Sequence, residues 1–213
     1  MRYIDLETWP RRAQYEFIST FDYPHFNMSA NMDITAFYTV VKQQSVSITV
    51  AIVYVLARAA HDVAEFRQRI REDGVVEHDI VHPSTTYLTE GDLFSFCRMD
   101  YSEDFSTFAA GAEEQISRVH ERPSLEDLPG DDQLFMTAIP WVSFTSFMHP
   151  IQMSPVDSIP RFAWAKFFQD GEQLKMPLNV QAHHGLVDGV HMGRYYEIVQ
   201  DYLDDPDYLL AGV

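Results

Sequence analysis

Apolar positions three and four residues apart predict helices along much of the first half of the chain. Over residues 50–71, Val53, Leu56, Ala60, Val63 and Ala64 form one stripe, while Arg58, Asp62, Glu65, Arg67 and Arg69 fall largely off it. A second helix starts at Asp33-Ile34-Thr35, with Asp33 or Thr35 as its cap, and a third covers residues 105–120, ended by Pro123. Elsewhere the period drops to two. Asp73-Gly74 turns the chain into a short strand at Val75-Val76-Glu77-His78, and residues 84–99 alternate as strands do. Residues 134–139 and 141–145 are strand-like runs broken by Pro140, and residues 162–168 and 174–182 flank a hairpin turn at Gln169-Asp170-Gly171-Glu172. A last helix begins near Gly189 and stops before Pro206, and residues 121–132 read as a surface loop. Helices dominate the first half and strands the second. The fold class expected is therefore α/β (α+β), a two-layer sandwich of a mixed β-sheet covered by helices, in a single domain over residues 1–213.

Composition and charge narrow the function classes. A chain of 213 residues with 46% hydrophobic and 14% aromatic residues can bury one sizeable core. Its 32 carboxylates against 15 Lys and Arg, a formal charge of −17, repel nucleic acid and anionic membranes, so neither is an expected partner. An anionic ligand needs a local basic pocket to overcome that field. The single cysteine, Cys97, excludes an internal disulfide framework and a multi-cysteine zinc cluster and fits a reducing compartment. The first residues do not read as a signal peptide, and the apolar stretch at 46–60, interrupted by Ser47 and Thr49, is too short to span a bilayer. A soluble, cytoplasmic protein is expected.

The chemistry concentrates at His183-His184-Gly185-Leu186-Val187-Asp188-Gly189. The alternating run 178–182 delivers both histidines to a strand end, and Asp188-Gly189 turns the chain into the final helix. Imidazole is the side chain whose ordinary pKa suits proton transfer near neutrality. Three plainer readings stand beside this one. The pair can be polar residues at a strand end, and Asp188-Gly189 can be only a turn. His184, Asp188 and His191 have a helical spacing that suits a metal, although two glycines and Val187 oppose a continuous helix there.

The segment His-His-Gly-Leu-Val-Asp-Gly-Val-His-Met-Gly-Arg at 183–194 resembles the catalytic signature of the chloramphenicol acetyltransferase family. Two further blocks are similar to that family's: residues 140–147, Pro-Trp-Val-Ser-Phe-Thr-Ser-Phe, and Trp9-Pro10-Arg11-Arg12 with Tyr15-Glu16-Phe17. The resemblance covers roughly residues 1–203. It implies a CoA-dependent acyltransferase fold, acetyl-CoA as co-substrate, no metal, a small-molecule acceptor, and a homotrimer with active sites between subunits. Carried over residue by residue, it makes His184 the general base and pairs Asp188 with Arg11 to shape the loop. Thr137 takes the place of the family's oxyanion-stabilising serine, and keeps its hydroxyl. Lys166 falls near the phosphates of coenzyme A, with Phe167 in place of a tyrosine. Phe26 and Phe94 match aromatic walls of the acceptor pocket. Ile18 stands where the family has a tyrosine, His149 where it has a leucine, and Ala163 where it has a hydroxyl that holds a water. The reading expected is acetyl transfer to chloramphenicol or, since the pocket positions differ, to another small acceptor. A non-catalytic binding protein and the core of a 2-oxoacid dehydrogenase complex are the remaining alternatives.

Overall fold

A computed structural model of the chain describes residues 1–44, 46–125 and 130–209. The chain opens with β1 (Arg2–Tyr3), α1 (Arg12–Ile18), β2 (His25–Asp33), α2 (Thr35–Gln43) and α3 (Ile48–Asp62). A 3-10 turn at Ala64–Arg67 leads into the hairpin of β3 (Gln68–Arg71) and β4 (Gly74–Glu77). There follow β5 (His82–Thr89), β6 (Leu93–Arg98), α4 (Phe105–Glu121), β7 (Gln133–Ile139), β8 (Arg161–Ala165) and β9 (Phe168–Asp170). Finally come β10 (Gln173–His183), α5 (Gly189–Asp204) and the short α6 (Pro206–Leu209).

The expected mixed sheet under helices is the architecture that forms. Seven strands run in the order β2-β10-β8-β7-β5-β6, with β9 pairing to β10 beyond the end of β8. The β5–β7 and β7–β8 pairs are parallel and the other pairs antiparallel. One face carries Leu178, Val180 and Ala182 of β10, Phe162 and Trp164 of β8, and Leu134 and Met136 of β7, all in the buried core with the helices. On α3 the burial runs all round: residues 50–57, Ala59 and Ala60 are buried, as a helix enclosed by sheet and helices requires. The other face of β10 is polar, with Asn179, Gln181 and His183 buried there. A smaller sheet, β1-β4-β3, stands beside the large one.

Two expectations are corrected. The helix predicted to reach Arg71 stops at Asp62, because Val63 is extended (φ −119°, ψ 104°). Residues 68–71 become β3 instead, paired to β4 across the Asp73-Gly74 turn, where Gly74 adopts φ 142°. The run at 141–145 is not a strand. The flanking strands β7 and β8 are paired along both edges, so the run makes no ladder with them; Val142 O accepts from Lys166 N–H (3.1 Å) beyond the end of β8, and Trp141 and Val142 stay exposed. Residues 140–160 form the crossover that parallel β7 and β8 demand, and among the described residues they contain no helix. Sequence reading also missed α1 and β2. Helix α1 buries no residue. In β2, the alternation of His25, Asn27, Ser29 and Asn31 with Phe26, Met28, Ala30 and Met32 is real, but its residue types are poor strand formers. Part of the predicted loop, residues 126–129, lies outside the described residues.

Arg69 ties the small sheet to the large one. Its guanidinium is fully buried and donates to four carbonyls: Asp131 (2.7 Å), Phe66 (2.9 Å), Gln68 (2.7 Å) and Gln133 (2.6 Å). Burial pulls its pKa down to about 10, while the nearby carboxylates of Asp131, Asp157 and Asp132 favour the charge. Removing the cation strands four acceptors in the interior. Arg69→Met is expected to cost about 3 kcal/mol of stability, read as a lower urea midpoint at unchanged slope.

Candidate active site

Strand β10 ends on His183, and a tight loop then builds the site. Leu186 and Val187 N–H groups both donate to the His183 carbonyl at 3.0 Å, folding the backbone back on itself. Gly185 is required by closeness: a Cβ there meets His183 Nδ1 at 3.0 Å and Tyr15 Cδ2 at 3.4 Å. His184 is held by its main chain, whose N–H donates to Pro24 O (2.7 Å) and whose carbonyl accepts from Arg11 Nη2 (3.5 Å). Its ring lies 4.5 Å from the Phe26 ring, with Nδ1 3.0 Å from Val187 O. A carbonyl only accepts, so the neutral ring carries its proton on Nδ1 and leaves the Nε2 lone pair uncommitted. Among the described residues Nε2 has no hydrogen-bond partner.

Asp188 joins this loop to two other segments. It caps α5, accepting from Val190 N (3.2 Å), while its own N–H donates to His191 Nδ1 (3.1 Å). Arg11 Nη1 donates to Asp188 Oδ2 at 2.6 Å. Burial alone raises the Asp188 carboxyl pKa, but the bond and charge of Arg11 outweigh it and hold the group below the usual range. The structure thus brings together Arg11 and Asp188, which are 177 positions apart. His191 is turned into the cap and His184 onto Val187, so the spacing that suggested a metal does not make a shared donor set; among the described residues no cluster of three or more His, Cys, Asp or Glu is placed to hold one.

Thr137, Phe94 and His149 lie elsewhere, around a cavity of about 700 Å³ between the polar sheet face and the crossover. Thr137 pairs with Ala163 on β8, and Ala163 with Asn179 on β10. Thr137 is therefore two strands across and five residues back from His184, on the order of 20 Å at strand spacing and rise. One chain does not bring the two together. Phe26 belongs to the His184 end, and Ile18 is the last residue of α1, the helix whose Tyr15 stands close to Gly185. Lys166 and Phe167 stand on a bulge: Ala165, Lys166 and Phe167 oppose only Met176 and Pro177 between the β8 and β9 pairings. The extra residue leaves Lys166 exposed and puts the Phe167 ring 6.2 Å from Tyr38.

His149 is fixed from below. The Gln181 side chain accepts from His149 N (2.8 Å) and donates to His149 O (3.5 Å), so one amide clamps the crossover to β10. The imidazole packs edge-on to Phe147 at 4.7 Å, and both its ring nitrogens are buried without a hydrogen-bond partner among the described residues. Burial, then the Arg161 charge, pushes its pKa down to about 4. Arg161 and Thr86 are among the lining residues that escaped the sequence reading. Arg161, buried and ion-paired with Asp157, stacks over Phe135 at 5.2 Å. Thr86 places its hydroxyl 2.9 Å from that of Thr137. No local spacing marks either, since their partners are set by strand pairing.

Comparison with known proteins bears on the family and the fold. The family model described as chloramphenicol acetyltransferase matches residues 1–200. A chloramphenicol acetyltransferase of Klebsiella sp is 30% identical over 208 residues, covering 95% of this chain and 93% of its own. Chloramphenicol acetyltransferase 3 of Escherichia coli is 28% identical over 92% of this chain and 94% of its own. A solved chloramphenicol acetyltransferase superposes with a TM-score of 0.84 at 25% identity, over 95% of this chain and 99% of that one. Dihydrolipoamide acetyltransferase of Azotobacter vinelandii shares the fold, with a TM-score of 0.68 at 18% identity over 93% of this chain and 88% of that one.

The buried histidines give the protein an acid-sensitive window. His183 is pushed down to about 4 by burial first and then by His25 and His184, and His149 falls as far. A depressed histidine pKa means the unfolded chain takes up protons first, near pH 6.5. Stability from these groups is complete above about pH 6.5 and is lost as pH falls toward 4. The urea midpoint is expected to drop steadily across that range, with a shallower slope in His149→Leu.

Proposed function

The chain belongs to the chloramphenicol acetyltransferase family, and from that premise we propose that it moves an acetyl group from acetyl-CoA to a hydroxyl of chloramphenicol or a similar small acceptor. The observation carrying the reading is the 3.0 Å approach of His184 Nδ1 to Val187 O, which fixes the tautomer a general base needs. Nε2 takes the proton from the acceptor hydroxyl as its oxygen attacks the thioester carbonyl. The Thr137 hydroxyl donates to the oxyanion of the tetrahedral intermediate. Collapse expels the CoA thiolate, which takes the proton back from His184, so no acyl-enzyme forms and no serine or cysteine nucleophile is called on. Buried Cys97, its thiol pushed up to about 11 by burial, is unsuited to that part.

Asp188 and Arg11 are positioning residues in this reading: they touch the loop and not the reacting atoms. Lys166, exposed on its bulge, supplies a local cation to CoA phosphates in a chain of net charge −17, with Phe167 beside it as an apolar surface. Phe26 and Ile18 line the acceptor site from the His184 side, Phe94 and His149 from the Thr137 side.

The separation of His184 from Thr137 within one chain favours a site shared between copies, and we read the assembly as a homotrimer in which one subunit's base faces the next subunit's cavity. We read each chain as a single domain, supported by one continuous core, and as cytoplasmic, in keeping with a free, buried thiol. A different small acceptor is favoured by one observation: the cavity lining carries Arg161 and, where the family has a leucine, His149.

Two measurements test this. His184→Ala is expected to lose at least about a hundredfold in kcat for thiol release from acetyl-CoA with chloramphenicol, while its oligomeric mass is unchanged; near-normal turnover removes His184 from the mechanism. Refolding His184→Ala together with Thr137→Ala tests the shared site. One ordered pairing in four unites an intact His184 with an intact Thr137, so about a quarter of the sites should recover full function. Recovery no greater than the sum of the separate variants rejects a site built from two chains.

A further inference from the structure

Thr137 has one strand neighbour on each side. On β8 the register partner is Ala163, which has no side-chain polar atom. On β5 the neighbour is Thr86, with Oγ1 2.9 Å from Thr137 Oγ1, and both residues line the cavity. Among the described residues this is the one hydrogen bond the Thr137 hydroxyl makes. The pair shares two protons and one mutual bond, so the direction of that bond decides what Thr137 can do. If Thr137 donates to Thr86, its proton is committed inside the sheet. If Thr86 donates, the Thr137 proton is left to point into the cavity.

Two physical effects select the second arrangement during reaction. A developing oxyanion accepts a charge-assisted bond, stronger than one between two neutral hydroxyls, and so draws the Thr137 proton. A hydroxyl that accepts a bond is polarised into a better donor. The β-branched threonine has few staggered wells, and a bond to its oxygen selects among them.

We propose that Thr86 is the positioning residue for Thr137: it donates to Thr137 Oγ1, fixes that side chain's rotamer and leaves its proton free for the substrate oxygen. The proposal rests on the oxyanion role given to Thr137 above. It ascribes to Thr86 no contact with the reacting atoms.

A double-mutant cycle in the thiol-release assay with acetyl-CoA and chloramphenicol tests it. Thr86→Val keeps the shape and removes the hydroxyl, and is expected to lower kcat about tenfold with KM for both substrates within about twofold. Thr86→Ser restores most of the rate. In a Thr137→Ala background, Thr86→Val has no further effect, because the residue it acts through is gone. Thr86→Ala enters the same cycle and carries the test should the valine variant fold poorly. Wild-type kcat in Thr86→Val, or equal losses in both backgrounds, overturns the positioning role while a slow Thr137→Ala keeps the oxyanion reading. Wild-type kcat in Thr137→Ala, or no thiol release by the unaltered protein, overturns both.

Discussion

Everything in this molecule is hung on β10, which is paired along both edges. Nine of its residues pair with β2 on one side, from Lys175 to His183, while β9 and then β8 take the other. Double pairing removes any freedom of register, since a slip by one residue exchanges the apolar and polar faces. Leu178, Val180 and Ala182 are thereby committed to the helices, and Asn179, Gln181 and His183 to the opposite face. The strand's last residue starts the histidine loop, so the position of His184 is inherited from that register.

The polar face sets the second half of the site. Asn179 reaches Ser29 (2.9 Å) and Asn27 (3.2 Å) across to β2, and Gln181 holds the crossover. These bonds make burial of amides tolerable and make the face a platform for a cavity instead of a second helix layer. His184 and the Thr137 hydroxyl therefore occupy two stations on one sheet. The separation between them is a consequence of strand order, as β8 lies between β7 and β10.

What the sequence made legible was local in character. The alternation at 174–182, the turn at Gly171 (φ 60°) and the break at Pro206 each depend on a few adjacent residues, and the structure has them where expected. The histidine loop was legible for the same reason, as a strand end followed by a helix start. Features that depend on distant partners were not. Arg69 looked like a solvent-facing helix residue, yet its burial depends on carbonyls at 66, 68, 131 and 133. Strand β2 forms because β10 has an edge to fill, against its own weak propensity. The run at 141–145 had the right propensity, but the strands it connects, β7 and β8, are paired along both edges. The roles of Arg11, Asp188 and Thr137 came with a family resemblance, and the close approach of Arg11 to Asp188 is a property of the fold that no spacing encodes.

The clamp between Gln181 and His149 reaches beyond stability. It grips the backbone of the crossover and leaves the side chain at 149 out of the bond. A lining residue held in this way can be exchanged over evolutionary time without loosening its own anchorage. A substitution at 149 leaves the strand register beneath it, and the loop that register delivers, as they are. The histidine at that position is anchored in this way, through its N–H and carbonyl and not through its ring.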